Sequence, residues 1–448
     1  MRKLVQISVA LLLLGGAFVW GFAAERYHLF PYFSIKSVAQ SRCVRVAAQK
    51  IGLGSELPGT RRDRLEIMPD SPPREVGRRR MIETLPYVSG TRDSHPERRG
   101  VILREPDKTW PGFNLYGPDT EPVAYLVDMA GKVRYRWSSD GDPWLHRELL
   151  RDGSLLALVV DQAILKLDRN SNVVWRRSGQ FHHGLWVAED GKIYALTEEP
   201  EPVPAIHREV DTLVNYVTVL SPEGEVLERI SILDVILDSP YAFLLTRVDD
   251  VGLGGKEFPL DPLHANHVEV FDGSLVDESP LFARGNLLLS LRNMNLVVIL
   301  DALTREIVWA WGPNNLLFQH QPTLLENGRL LIFDNGIEQS RVLDLDPLSQ
   351  RIVWSYTAED FFTKTRGSAQ RLANGNTLIT ESVSGYVFEV TPEGERVWTF
   401  ATPHFTQDGK RASIWRMTRY RPDELEFPFR GRDAVRSNQP GEPELSVQ

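Results

Sequence analysis

"EVTPEGERVWTF", residues 389–400, reads as a strand, a Thr-Pro-Glu-Gly turn and a second strand that carries an aromatic residue. Apolar residues alternate with polar ones around the turn, which is the pattern of a β-hairpin. The phrase returns as "DLDPLSQRIVWSY" (344–356) and "ILDALTREIVWAW" (299–311), so that Asp301, Asp346 and Thr391 stand 45 residues apart. Looser copies lie upstream in "LVDMAGKVRYRW" (126–137), "KLDRNSNVVWRR" (166–177) and "VLSPEGEVLERI" (219–230). Ahead of most copies comes a second hairpin, seen in "LLRDGSLLALV", "VAEDGKIYALT", "LLENGRLLIFD" and "RLANGNTLITE". Two hairpins make a four-stranded unit, and a period of this size is that of a propeller blade. The expected fold is therefore all-β, a six-bladed β-propeller over residues 106–420. Trp137, Trp175, Trp309, Trp354 and Trp398 recur at one place in the phrase and are expected to pack between blades. A longer gap between Ser221 and Asp301 holds "ILDVILDSPYAFLLTRVDDVGLGGKEFPLDPLHANH", an insertion expected to shape one face.

Composition frames this reading. The 448 residues are 42% hydrophobic and 25% charged with a formal charge of −9, an ordinary folded chain with no basic excess to attract nucleic acid. Met1, Arg2 and Lys3 precede an uncharged apolar stretch from Leu4 to Ala24, about the length of a helix that crosses a bilayer. Phe22 stands where signal cleavage wants a small residue, so a retained anchor is expected over a cleaved signal. The positive-inside rule then puts the rest of the chain on the far side, anchored in the inner membrane with the propeller in the periplasm. Residues 25–105 are rich in Arg and Pro and read as a stalk or linker; residues 421–448 read as a polar tail. Cys43 is the only cysteine, which rules out an intrachain disulfide.

In a propeller the first strand of every blade faces the central axis, so residues far apart in sequence converge there. His146, His182, His183, His264 and His320 all stand at the start of such a strand, five of the ten histidines in one register. Shared placement of this kind makes a common site geometrically natural. Arg292 with Asn295, and Arg341, lie nearby in sequence, whereas Asn335 and Gly336 read as turn residues.

At this point the pattern resembles the bacterial arylsulfate sulfotransferase family. The resemblance rests on "DPLHANH" (261–267), "LLLSLRNMNLVVILDALTREIVWAWG" (287–312), "FQHQPTLLENGRLLIFDNG" (318–336) and "SRVLDLD" (340–346), with "GFNLYGPDTEPVAYLVDMAGKVRYRW" (112–137) as a weaker opening blade. It implies a periplasmic six-bladed propeller that moves a sulfuryl group from an aryl sulfate to a phenol, with no nucleotide donor and no cofactor or metal. By the same resemblance His264, His320 and Arg341 take catalytic roles, with Asn266 and Gln319 beside them; His183 and His146 by blade register, Arg292 by its place in blade 4, and Tyr386 by the strand pattern are further substrate-binding candidates. Pro262 stands where the family's Asp-Trp-x-His-x-Asn motif has tryptophan. Sulfuryl transfer spreads negative charge over three oxygens and a departing phenolate, which guanidinium and imidazole groups can stabilise.

One departure is plain. The family's nucleophilic histidine belongs one blade after His320, yet residues 321–403 contain no histidine. Blade register points to Gly367 and the strand pattern to Tyr386, with His404 as the nearest remaining imidazole. A propeller that binds a sulfated ligand or a protein partner without turnover is thus the alternative. A third likeness, to the tryptophan-docking repeats of quinone-dependent dehydrogenases, would call for eight blades and acidic calcium ligands, where this chain has six blades and histidines.

Overall fold

The computed structural model describes residues 97–245 and 259–425. The apolar segment 4–24, Cys43, most of the expected stalk and nearly all of the tail lie outside the described residues. Among the described residues no helix is long and apolar enough to cross a membrane.

Six antiparallel sheets follow one another along the chain within the compact unit of residues 76–239 and 244–448. Blade 2 runs through His146–Leu149, Leu155–Val159, Ala163–Leu167 and Val173–Ser178, and blade 3 through Phe181–Val187, Ile193–Glu201, Thr212–Leu220 and Val226–Ser231. Blade 4 comprises Ala265–Val270, Leu287–Leu291, Leu296–Leu300 and Ile307–Trp311, and blade 5 His320–Leu324, Leu330–Asp334, Arg341–Asp346 and Arg351–Tyr356. Blade 6 contains Ser368–Arg371, Thr377–Glu381, Tyr386–Val390 and Arg396–Ala401. Blade 1 is assembled from both ends of the propeller: Phe113–Tyr116, Val123–Val127 and Val133–Ser138 take their innermost partner from Thr418–Tyr420. Gly100–Arg104, in sequence part of the expected linker, pairs with the outer strand of blade 6 as a fifth strand. The chain is thus closed at two neighbouring blades by its two ends.

Patterning explains why each blade lies where it does. Second strands such as "LLALV" and "LLLSL" are buried along their whole length because neighbouring blades cover both faces. Fourth strands such as "VVWRRS" alternate between exposed and half-buried positions, as an outer strand should. The apolar clusters join adjacent blades: one links Leu115, Leu126 and Trp137 of blade 1 to Leu155, Leu165 and Leu167 of blade 2. Burial of each such side chain contributes about 1.5–3 kcal/mol.

The recurring tryptophans do more than fill this space. The indole N–H of Trp175 donates to the Pro222 carbonyl, that of Trp309 to Pro347, that of Trp354 to Pro392 and that of Trp398 to Met129. In each case the acceptor lies in the outer-hairpin turn of the following blade, so the aromatic phrase ties every such blade to the next. Blade 3 has no tryptophan in this strand; there Glu228 pairs with Arg305 of blade 4 at 2.5 Å.

Candidate functional site

The first strands of blades 3, 4 and 5 are irregular where the histidines stand. His183 and Gly184 are extra residues between the rungs His182–Leu196 and Leu185–Ala195. Asn266 is extra between Ala265–Leu291 and His267–Ser290, and the register also shifts between His320 and Thr323. Such bulges re-aim side chains next to functional sites. The first strands of blades 2 and 6 pair without a shift. His183 (φ 56°), His264 (φ 47°) and Arg366 (φ 64°) are all left-handed, a conformation that non-glycine residues keep only where surroundings enforce it.

The result is a cluster built by blades 3, 4 and 5 together with the loops that lead into blade 6 and into the closing strand of blade 1. The ring of His183 lies edge-on to His264 at 4.7 Å, to His182 at 4.9 Å and to Trp415 at 5.8 Å between ring centroids. His264 is oriented by Asp261: its backbone N–H donates to Oδ1 at 2.8 Å and its Nδ1 donates to Oδ2. Burial pushes the Asp261 carboxyl up, but the contacts from His264 outweigh it and hold the group below its ordinary value. A histidine fixed by a buried carboxylate through Nδ1 presents Nε2 as an acid or base.

His320 is held differently. Asn335 spends its amide N–H groups on the carbonyls of Thr363 and Arg366, so its oxygen faces His320 Nδ1 at 2.7 Å and that nitrogen carries the proton. His320 Nε2 in turn accepts the backbone N–H of Arg366 at 3.2 Å. Burial, with Arg292 nearby, depresses this imidazole to about 3, so it is neutral at pH 7. Its role here is to fasten the Arg366 backbone to blade 5. The Arg366 guanidinium reaches across to Asp119 at 3.0 Å and lies over the Trp415 ring at 4.7 Å. Arg292, on a short 3-10 turn of blade 4, stacks on Phe318 at 4.6 Å and contributes to the depressed proton affinity of both His183 and His320.

Further along the axis, His146 meets Glu148 at 3.3 Å, and His267 stands 3.9 Å from Glu269. Burial is the main cause that lowers both imidazoles, with Arg416 adding to the effect, and it raises the Glu269 carboxyl to about 8. His182 falls to about 4 through burial and the neighbouring His264. The site therefore sets His264, paired with Asp261, among imidazoles whose proton affinity is lowered, with guanidinium groups and one half-buried indole beside them.

The other candidates are engaged elsewhere. Arg341 donates to Asp334 at 2.8 Å and to the Asn315 carbonyl, and its described contacts do not include the histidines. Asn266 donates to the Gln319 carbonyl, and Gln319 is fully buried with its amide on Ser290, Leu291 and Leu296. These two residues staple blade 4 to blade 5. Tyr386 opens the third strand of blade 6, with its ring 5.1 Å from the Arg411 guanidinium. His404 belongs to another group, stacked on Tyr125 at 5.1 Å and 3.6 Å from Glu121. Arg366, Trp415 and Asp261 complete the cluster without having been singled out in sequence. Among the described residues no group of three His, Cys, Asp or Glu side chains is arranged to hold a metal ion. A surface depression lined by residues such as Arg104, Phe113 and Arg134 contains none of the histidines.

The position one blade after His320 is closed to any side chain. Gly367 has φ 105°, and a Cβ there would stand 2.4 Å from the Phe333 ring. An imidazole cannot be placed at that point of the backbone.

No curated protein matches the chain. Among solved structures, a protein of unknown function from Bacteroides caccae is similar at 13% identity and a TM-score of 0.47, over 70% of this chain and 100% of that one. A virginiamycin B lyase from Staphylococcus aureus is similar at 9% identity and a TM-score of 0.36, over 63% and 84%. BamB from Moraxella catarrhalis is similar at 11% identity and 0.33, over 65% and 74%. Similarity at this level says nothing about substrate. The family model described as Arylsulfotransferase (ASST), however, matches residues 146–403, from the first strand of blade 2 to just past the last strand of blade 6. That span exceeds half of the chain and includes His146, His183, His264, His320 and Arg366; the chain belongs to the arylsulfotransferase family.

Proposed function

We propose that this protein transfers a sulfuryl group from an aryl sulfate to a phenolic acceptor at the histidine cluster, without a nucleotide donor. The observation that carries the reading is the juxtaposition of His264, oriented by Asp261, with the guanidinium groups of Arg292 and Arg366 and the indole of Trp415. Family membership supports the same substrate class. In the reading, the guanidinium groups offset the charge on the three sulfonate oxygens, and a partly dehydrated setting strengthens that attraction. Trp415 offers a face for the aryl ring. His264 Nε2 protonates the departing phenolate and later takes the proton of the incoming phenol. His320 acts by fixing the Arg366 backbone, and Arg341 by neutralising buried Asp334 beneath the loop that presents Phe318 and His320.

The test is incubation with 4-nitrophenyl sulfate and a phenolic acceptor, with nitrophenolate followed by absorbance and the sulfated acceptor by mass. Transfer is expected, and His320→Ala should remove it. The filled position at Gly367 favours a second reading, a propeller that binds aryl sulfates without turning them over. Saturable binding with no transfer across a broad donor and acceptor panel would establish that reading and remove the first.

We also propose that Leu4–Ala24 anchors the propeller to the inner membrane from the periplasmic side. Arg2 and Lys3 at its head and the uncharged length of the segment support this. Retention in the membrane fraction after alkaline carbonate washing is expected; release into the wash would remove the proposal.

A further inference from the structure

We propose that His183 is the nucleophile of this site, taking the sulfuryl group on Nε2 in place of the histidine that Gly367 excludes. The inference rests on the sulfuryl-transfer reading above and names the residue that would make it covalent.

Three observations single out His183. Accessibility is the first: His146, His182, His264, His267 and His320 are at most 6% exposed, whereas His183 is only half-buried. A nucleophile has to be reached, and His183 stands in the bulge of this strand, where the regular alternation of side chains is broken.

Position is the second. His183 is central to the cluster, with His264, His182 and Trp415 against its ring, and burial above all, with its neighbours adding, holds its proton affinity down. A neutral imidazole is the form that attacks.

Tautomer is the third. His182 and His183 share one hydrogen bond between their Nδ1 atoms at 2.6 Å, so one of the two carries that proton. His182 Nε2 makes no hydrogen bond but lies 3.7 Å from the Glu198 carboxylate, whose charge favours a proton on that atom over a lone pair. The proton of neutral His182 is therefore on Nε2, its Nδ1 accepts, and His183 Nδ1 donates. The lone pair of His183 is left on Nε2.

The step balances. The Nε2 pair forms the N–S bond as the S–O bond to the aryl group breaks, and the phenolate leaves with the bonding electrons and takes the proton of His264 Nε2. The sulfated imidazole is positive until its Nδ1 proton passes to His182 Nδ1, where the charge faces Glu198. In the second half, the acceptor phenol oxygen attacks sulfur, His264 takes its proton, the S–N bond breaks and the pair returns to Nε2. His183 regains its Nδ1 proton from His182. No co-reactant beyond donor and acceptor is required.

The experiment is rapid quenching of the unmodified protein with 4-nitrophenyl sulfate and no acceptor, followed by peptide mass mapping under alkaline conditions. One SO3 group on His183 is expected. His183→Gln should lower transfer at least about 1000-fold while affinity for the aryl sulfate changes less than about 10-fold, and free imidazole should restore turnover to His183→Gly. An adduct on another residue, or turnover that survives His183→Gln, overturns the inference and leaves the sulfuryl-transfer reading standing. Absence of turnover by the unmodified protein overturns both. Adduct mapping needs no variant, so it decides the matter even if the substitutions unfold the chain.

Discussion

At the residue scale, the site is decided as much by what cannot be present as by what is. Gly367 is both left-handed and pressed against Phe333, so restoring an imidazole by Gly367→His should unfold blade 6 and leave activity unimproved. Gly367→Ala already combines backbone strain with a ring clash and should cost about 2–4 kcal/mol, read as a lower urea midpoint at unchanged slope. The register of His146, His182, His183, His264 and His320 was legible in sequence because blade repeats bring like positions to one axis. Their separate duties were not. That His320 is bound at both ring nitrogens depends on the amide orientation of Asn335, fifteen residues away and itself fixed by the loop leading into blade 6. Gln319 and Asn266 look like ligands in sequence for the same reason that they are staples: buried amides at a blade boundary must satisfy backbone carbonyls.

At the element scale, hairpins and turns were readable from local chemistry. The inner-hairpin turns share one geometry, as in Gly153 and Gly328, whose N–H groups close on Leu150 and Leu325. What local pattern does not encode is closure. Thr418–Tyr420 joins blade 1 across some three hundred residues, and the strand is too short to announce itself. Its Arg419 makes the join specific by donating to Asn114 and to the Trp110 carbonyl, each at 2.8 Å, and by pairing with Glu389 of blade 6. Both partners of that pair are almost fully buried. Arg419→Ala strands a buried carboxylate and should cost about 3–5 kcal/mol by urea unfolding, whereas removal of both charges in Arg419→Met with Glu389→Gln should recover much of it. The bulges of blades 3 to 5 were equally invisible, because an extra residue in one strand shows only against its partner.

At the scale of the whole molecule, the histidine cluster sets a pH dependence. His146, His182, His183, His267 and His320 are held neutral by burial, so the folded chain binds fewer protons than the unfolded chain below the ordinary imidazole value of about 6.5. Stability then rises with pH between about 4 and 6.5 and is lost on acidification, by up to about 1.4 kcal/mol per pH unit for each histidine. Glu269 and Glu381, raised by burial to about 8 and about 7, bind protons in the fold and oppose this trend, but they are fewer. Urea melts from pH 7 to pH 5 should show a falling midpoint, with a shallower fall in His183→Gln; a flat profile would mean that the imidazoles are not held neutral. The architecture thus follows from repetition and the family from its motifs, while the working state of the site follows from burial, which no single stretch of sequence displays.

The central claim is that an aryl sulfate lodges among Arg292, Arg366, His264 and His183. The most direct measurement is a crystal structure with 4-nitrobenzenesulfonate, whose carbon–sulfur bond cannot be transferred. The sulfonate oxygens are predicted within hydrogen-bond distance of the guanidinium groups and His264, with the ring against Trp415 and the sulfur facing His183 Nε2. An analogue bound away from these side chains, or absent from the cluster at saturating concentration, would contradict the account.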